Sequence, residues 1–261
     1  MKQIIVLLCL WSGGLLAQST TKKITWPVGK KMALSLTFDD GRGSQVQAGV
    51  KLLNQYGAKA TFYVMPSAIE KSLPAWRDLA NAGHEIGNHT SLHPCSGNFA
   101  WSRTKALEEY SLEKMAKELG ESNRQISEML GVVPESFAYP CGQTFVGMNE
   151  NTKSYVPLVH QQFSSGRGWR DEAPNDPAYL NMAQLTGIEM DGQDFEEILP
   201  LIQDAAKQGY WLVLAGHEMG TDGNQTTRLS MLEKLIQYAQ TPENGIWLAP
   251  VKDVTHFLKA N

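Results

Sequence analysis

The strongest constraint on the fold of this chain is an alternation of short β-type runs with longer helical ones, sustained over residues 31–258. Residues 32–38 alternate as a strand and run directly into Asp39-Asp40-Gly41. Residues 45–56 read as a helix closed by Gly57, and 60–64 form a β-branched and aromatic run. A short helix is expected over 74–82, with Pro near its start and Gly83 past its end, before a brief strand at 85–87. A long helix is expected over 104–130, where Leu107, Tyr110, Met115, Leu119, Ile126 and Leu130 make an apolar stripe ended by Gly131. Further strands are expected at 136–138, 163–165, 185–189, 211–215 and 246–248. Helices fall at 195–208 and 229–240, and a terminal one carries Val251, Val254 and Leu258. Strands that alternate with helices imply a parallel sheet covered by helices. About eight strands in one domain of this length suggest an α/β fold closed into a (β/α) barrel. No repeat, low-complexity tract or linker divides the region.

The first residues stand apart. Lys2 supplies a positive start, residues 4–10 an apolar stretch, and Leu15-Leu16-Ala17 a small-residue cleavage site. The expectation is a signal peptide over 1–17, a lead-in over 18–30 and a catalytic domain over 31–261, exported to a periplasm or the cell exterior. No stable membrane insertion is expected after cleavage. The net charge of −4 provides no attraction for nucleic acid or an anionic membrane, and 19% charged residues fit an ordinary globular protein. Cleavage removes Cys9 and leaves Cys95 and Cys141, in a compartment where disulfides persist. A disulfide between Cys95 and Cys141 is expected, with a pair of separate buried thiols as the alternative.

The chemistry-bearing residues cluster just after expected strands, where a (β/α) barrel gathers its active site. Asp39 and Asp40 would diverge on an extended chain, but a turn at Gly41 can bring both to one pocket; Asp-Asp-Gly is also an ordinary turn signal. His89 and His93, four apart, would meet on one face of a helical turn and grip one metal. An added Asp gives two imidazoles and a carboxylate, a donor set that leaves coordination positions open for catalysis. His217 ends a buried-strand pattern and suits general acid or base work. His84 reads as structural, and His160 and His256 as solvent-facing.

Together, Thr37-Phe38-Asp39-Asp40-Gly41, His89-Thr90-Ser91-Leu92-His93, Tyr139-Pro140-Cys141-Gly142 and a histidine after an apolar strand resemble the successive motifs of the NodB-type polysaccharide deacetylases, carbohydrate esterase family 4. The resemblance implies a distorted (β/α) barrel of about seven to eight strands and one divalent metal ion, Zn2+ or alternatively Co2+ or Ni2+, held by Asp40, His89 and His93. It implies Asp39 as base, His217 as acid, the Cys141 N–H as oxyanion donor with Tyr139 nearby, and an acetylated carbohydrate as substrate. The implied reaction is N-deacetylation of a glycan. Removal of O-acetyl groups from a polysaccharide, an inert glycan-binding role and hydrolysis of small amides are the alternatives.

Two positions depart from the family pattern. Ala138 stands where many members carry an arginine that pairs with the base, so Arg167 or Arg170 is expected to supply that cation. In place of a clear fourth motif, Gly166-Arg167-Gly168-Trp169-Arg170-Asp171 offers Trp169 to stack on a sugar and Asp171 to orient His217.

Overall fold

The computed structural model describes residues 24–261, so the expected signal peptide lies outside the described residues. Eight strands build one sheet: β1 (Met32–Phe38), β2 (Thr61–Val64), β3 (Glu85–Asn88), β4 (Ser136–Ala138), β5 (Ser165–Arg167), β6 (Ile188–Glu189), β7 (Trp211–Gly216) and β8 (Ile246–Leu248). The order across the sheet is β5-β4-β3-β2-β1-β7-β6, with all neighbours parallel. β8 pairs with Met32–Leu34 at the start of β1, while β2 takes only Thr37 and Phe38 at its end. The two outer strands are stitched together through the segment before β6: Leu185 N–H donates to Gly166 O (2.7 Å) and Gly168 N–H to Leu185 O (2.8 Å). The result is the distorted (β/α) barrel expected from the sequence.

All seven residues of β1 are buried, because the strand has neighbours on both edges and its two faces point into the barrel and under the helices. Leu34, Leu36, Phe38, Phe62, Leu212 and Leu214 pack with Leu53, Ile69, Trp76, Ile198, Ile202 and Leu235 of the surrounding helices. Each such side chain contributes about 1.5–3 kcal/mol by leaving water. One end of the barrel is shut by the terminal helix (Val251–Ala260), whose first turn is held by a carboxylate inside the sheet. Glu85 accepts from Lys252 N–H (2.8 Å), Thr61 Oγ1 (2.7 Å) and Ser136 Oγ (2.5 Å), and burial raises its pKa.

Two elements differ from the sequence expectation in ways that matter for the site. The long helix starts at Leu112, not at 104, because Ser111 caps it by accepting from Lys114 N–H (3.2 Å). The preceding stretch forms two short turns, Ala100–Lys105 and Leu107–Glu109, tied to the histidine loop by Leu107 N–H to Cys95 O (3.0 Å). Leu107, in a 3-10 turn, and Tyr110, just past it, are buried outside the long helix, so their helix-like spacing is met by packing. The strand expected at 163–165 lies at Ser165–Arg167, which places Arg167 within the sheet instead of on the loop after it.

Candidate active site

A cleft of about 880 Å³ opens at the C-terminal ends of the strands and is lined by Asp39, Asp40, His89, His93, Cys141, Trp169 and His217, among others. At the end of β1 the chain turns sharply, with Asp40 at φ +71° and Gly41 at φ +68°. The turn thus begins at Asp40, one residue earlier than the expected pivot. Left-handed backbone at a non-glycine residue costs on the order of 1–3 kcal/mol and persists where neighbours enforce it. Arg42 holds the Asp40 Oδ2 atom through Nη2 (2.8 Å) and Nε (3.0 Å), and Gln45 Nε2 donates to both Asp39 O (2.7 Å) and His217 O (2.8 Å).

His89 and His93 do converge, but not on a helix. The loop after β3 places Thr90 at φ +63° and His93 at φ +51°. It is fastened by Thr90 N–H to Asn88 Oδ1 (2.7 Å) and His93 N–H to Thr90 Oγ1 (2.8 Å), and Glu118 Oε1 accepts from Ser91 N–H (3.0 Å) and Leu92 N–H (2.7 Å). Side chains four apart meet here through left-handed turns stabilised by local side-chain acceptors. The rings lie 4.8 Å apart, and each Nε2 sits 3.4 Å from Asp40 Oδ1. That oxygen is buried and has no hydrogen-bond partner among the described residues.

Burial, then the neighbouring His89 charge, holds the His93 pKa down to about 4, which keeps it neutral at ordinary pH. Burial works to raise the Asp40 pKa, but polar contact with His89 and the charges of His89, His93 and His217 outweigh it and keep the carboxyl well below the usual range. His89 Nδ1 faces Ala138 O at 2.9 Å, which fixes the ring with Nε2 toward Asp40. An orphaned carboxylate oxygen, two nitrogens aimed at it and a backbone carbonyl behind one ring fit a divalent cation of the kind bound by two His and one carboxylate. A second cluster, His93, Cys95 and Cys141, offers no thiolate, because the two sulfurs are bonded to each other.

Asp39, 3% exposed, meets Arg167, whose Nη2 donates to Asp39 Oδ1. Arg167 is fully buried, donates from Nη1 to Gly168 O (2.6 Å) and stacks its guanidinium 5.1 Å from the Tyr63 ring. Gly187 makes room for it, since a Cβ there would lie 2.5 Å from Arg167 Cδ. Arg170 points elsewhere: it is exposed and pairs with Glu189 (2.9 Å). A cation thus reaches Asp39 from β5, while Ala138 occupies the neighbouring strand.

His217 Nδ1 is 2.7 Å from Asp191 Oδ2, and Asp191 Oδ1 accepts from Thr227 Oγ1 (2.7 Å) and His217 N–H (3.2 Å). Burial alone would lower the histidine's pKa, but the Asp191 hydrogen bond and the charges of Asp39, Asp40 and Asp191 raise it above the ordinary value. The Trp169 ring stands edge-on to His217 at 4.7 Å. Asp171, expected to orient His217, instead accepts from Gly187 N–H (2.8 Å) and ties its loop to the segment before β6. Asp191 is the residue that sequence reasoning missed; the available signal was an acid just past an expected strand end, the same position that marked Asp39 and His217.

Cys141 adopts φ +54° in the turn after β4 and lines the cleft. Its sulfur is bonded to that of Cys95, with Cα atoms 6.0 Å apart, joining the histidine loop to this turn. Tyr139, expected beside the substrate, is turned into the core: it is 1% exposed and donates to Ala183 O (2.7 Å). The alternation of a strand sends Tyr139 inward where the following turn sends Cys141 outward. His84 is buried between Ala60 N–H (3.3 Å) and Asn54 Oδ1 (3.1 Å), and His160 and His256 are exposed.

The barrel is of the kind that the sequence resemblance implies, and its strand-end cleft gathers paired acids and histidines. The polysaccharide deacetylase family model matches residues 27–157, half of the chain. The chain belongs to the polysaccharide deacetylase family. It is similar to a gellan lyase from a Bacillus species, 34% identical over 258 residues that cover 89% of this chain and 10% of that protein. It is also similar to a peptidoglycan-N-acetylglucosamine deacetylase from Bacillus cereus, 31% identical over 155 residues that cover 57% of this chain and 52% of that protein. The chain therefore spans from a tenth to about half of these relatives. Among solved structures, the Xyl-CE4 domain of a multidomain xylanase from the hindgut metagenome of Trinervitermes trinervoides shares the fold. Its TM-score is 0.58 at 18% identity, with 88% of this chain and 92% of that one covered. Asp39, Asp40, His89, His93 and Cys141 fall within the family match, whereas Arg167, Asp191 and His217 lie beyond it.

Proposed function

We propose that this chain hydrolyses the N-acetyl groups of a glycan, with Asp40, His89 and His93 holding one divalent cation, Zn2+ in the first place. The observation that carries the reading is the buried, unpartnered Asp40 Oδ1 facing two imidazole nitrogens at 3.4 Å, beside an acid–base pair already provided with partners. A cation bound there would polarise the acetamide carbonyl and make water more acidic.

The chain's own residues supply the rest. Asp39, held by Arg167, takes a proton from the attacking water as its oxygen forms a bond to the carbonyl carbon. The carbonyl π electrons move to oxygen, and the resulting oxyanion would accept from the Cys141 N–H at the cleft wall. His217, whose pKa the Asp191 hydrogen bond helps to raise, gives its proton to the amine nitrogen as the C–N bond breaks, and acetate departs. Gln45, bonded to the backbone of both catalytic loops, keeps base and acid at a fixed spacing.

The catalytic domain is assigned to residues 31–261. Export to a periplasm or the cell exterior agrees with the Cys95–Cys141 bond and with the sequence of residues 1–17. No helix among the described residues is long and apolar enough to cross a membrane. Acetate release from N-acetylated oligosaccharides, with O-acetylated xylan in parallel, tests the proposal. Release from the first set by the metal-loaded protein is the expected result. A rate confined to xylan would replace it with an ester hydrolase, and release from neither would remove it.

A further inference from the structure

One wall of the cleft carries groups for which the reaction has no use. Phe99 and Trp101 are 43% and 55% exposed, their rings stacked with centroids 5.6 Å apart, and both line the cleft. Trp101 also leans on His93, 5.9 Å between centroids, so the pair begins at the edge of the reaction centre. The loop bearing them is held firmly. Ser102 Oγ donates to Cys95 O (2.8 Å) and accepts from Cys95 N–H (3.0 Å), and Glu108 accepts from Ser96 Oγ (2.6 Å) and Gly97 N–H (2.9 Å). A rigid, exposed aromatic pair offers a flat face to the C–H face of a sugar ring at little entropic cost.

The charges beside this platform are unbalanced. Lys105 lies 5.6 Å from the Trp101 ring and uses one N–H on Leu92 O. Lys71, just past the short helix Pro66–Glu70, is exposed on the same cleft. Neither lysine has a carboxylate partner among the described residues. The other cations there are matched, Arg42 to Asp40 and Arg170 to Glu189, and the lining carboxylates Asp39 and Asp40 each have an arginine. The unneutralised charge of the cleft is therefore positive, on a chain whose net charge is −4.

We infer that Phe99, Trp101, Lys71 and Lys105 form a subsite for an anionic sugar unit adjoining the acetylated one. The word acetylated rests on the proposed deacetylase reading; the subsite itself rests on the platform and its charges. Substrates of this chain are then acidic glycans, in which a sugar bearing a carboxylate or sulfate neighbours the residue to be deacetylated.

The test measures binding to the intact, metal-loaded protein by titration calorimetry, so that it does not depend on turnover. The probes are a tetramer of galacturonic acid, its carboxyl-reduced neutral counterpart and a sulfated form of the neutral tetramer. The uronate is expected to bind about ten-fold more tightly than the neutral tetramer at low salt, the gap closing toward 1 M salt as charges are screened. Lys71→Gln and Lys105→Gln should each weaken uronate binding about two- to five-fold and leave the neutral probe unchanged. The glutamine at 105 keeps a donor for Leu92 O. Trp101→Ala should weaken both probes about ten-fold through lost stacking. Sulfated and uronate probes binding alike assign the subsite to anionic sugars in general, and a preference for the uronate assigns it to carboxylates. Equal binding of neutral and acidic probes, or lysine variants without effect on the uronate, overturns the inference. Preserved lysine-dependent uronate binding without acetate release from any substrate overturns the deacetylase reading alone.

Discussion

Replacing Arg167 with Met would expose how Asp39, the proposed base, is held. Asp39 and Arg167 have side-chain exposures of 4% and 0%, so neither charge has water to fall back on once its partner is gone. Removing one member of such a pair costs about 3–5 kcal/mol, because an uncompensated charge stays buried. In a chain of this size that lowers Tm by roughly 10 °C. Asp39→Asn is the mirror experiment and leaves a guanidinium that cannot shed its proton. The double variant Arg167→Met/Asp39→Asn buries no unpaired charge and should recover about 2 kcal/mol or more relative to the sum of the singles. Stability would be read from urea melts followed by circular dichroism, and kcat from acetate release. Arg167→Met should lose on the order of 10²-fold in kcat even at temperatures where it is fully folded, since Asp39 loses its orienting partner. Strictly additive stabilities, or an Arg167→Met protein with normal melts and kcat, would refute this account of the base.

Chelation should abolish acetate release, with Zn2+ or Co2+ restoring it, and His89→Ala should lose both the metal and the activity; full turnover in a chelated sample, its metal content checked by mass spectrometry, would contradict the ligand assignment. Asp191→Asn should move the alkaline limb of the pH–rate profile to lower pH. The competent His217 is protonated, so activity is present below its raised pKa and lost as pH climbs through it, and removing Asp191 removes a cause of that rise; an unmoved limb would exclude His217 as the acid. Opening the Cys95–Cys141 link by Cys95→Ser/Cys141→Ser frees a loop of sequence separation 46, worth about 4 kcal/mol in the chain-entropy model, and should also lower kcat by loosening the histidine loop against the Cys141 turn. Unchanged melts in that variant would show the link to be dispensable.

Much of the barrel was legible because its signals are local. The helices at Phe195–Gln208 and Leu229–Gln240 and the strand at Ile246–Leu248 lie where apolar periodicity and flanking turn residues put them. Asp39-Asp40-Gly41 and the His89–His93 spacing marked the site for the same reason, since each is a short run whose chemistry shows without knowing its neighbours. The stripe from Leu107 to Tyr110 misled because packing against a loop and packing as a helix call for the same apolar spacing.

What tertiary structure alone decided is which distant side chains meet. A two-residue shift in one strand put Arg167 inside the sheet and against Asp39, and left Arg170 outside with Glu189. Barrel curvature brought Asp191, not the nearer-seeming Asp171, to His217, and strand alternation buried Tyr139 while the following turn brought Cys141 to the cleft. Left-handed turns, not a helix, aimed His89 and His93 at one oxygen. Sequence determines the period of each element and the chemistry at its end. Partnership across strands depends on register and curvature, which the whole packed barrel sets together and no short window of residues contains.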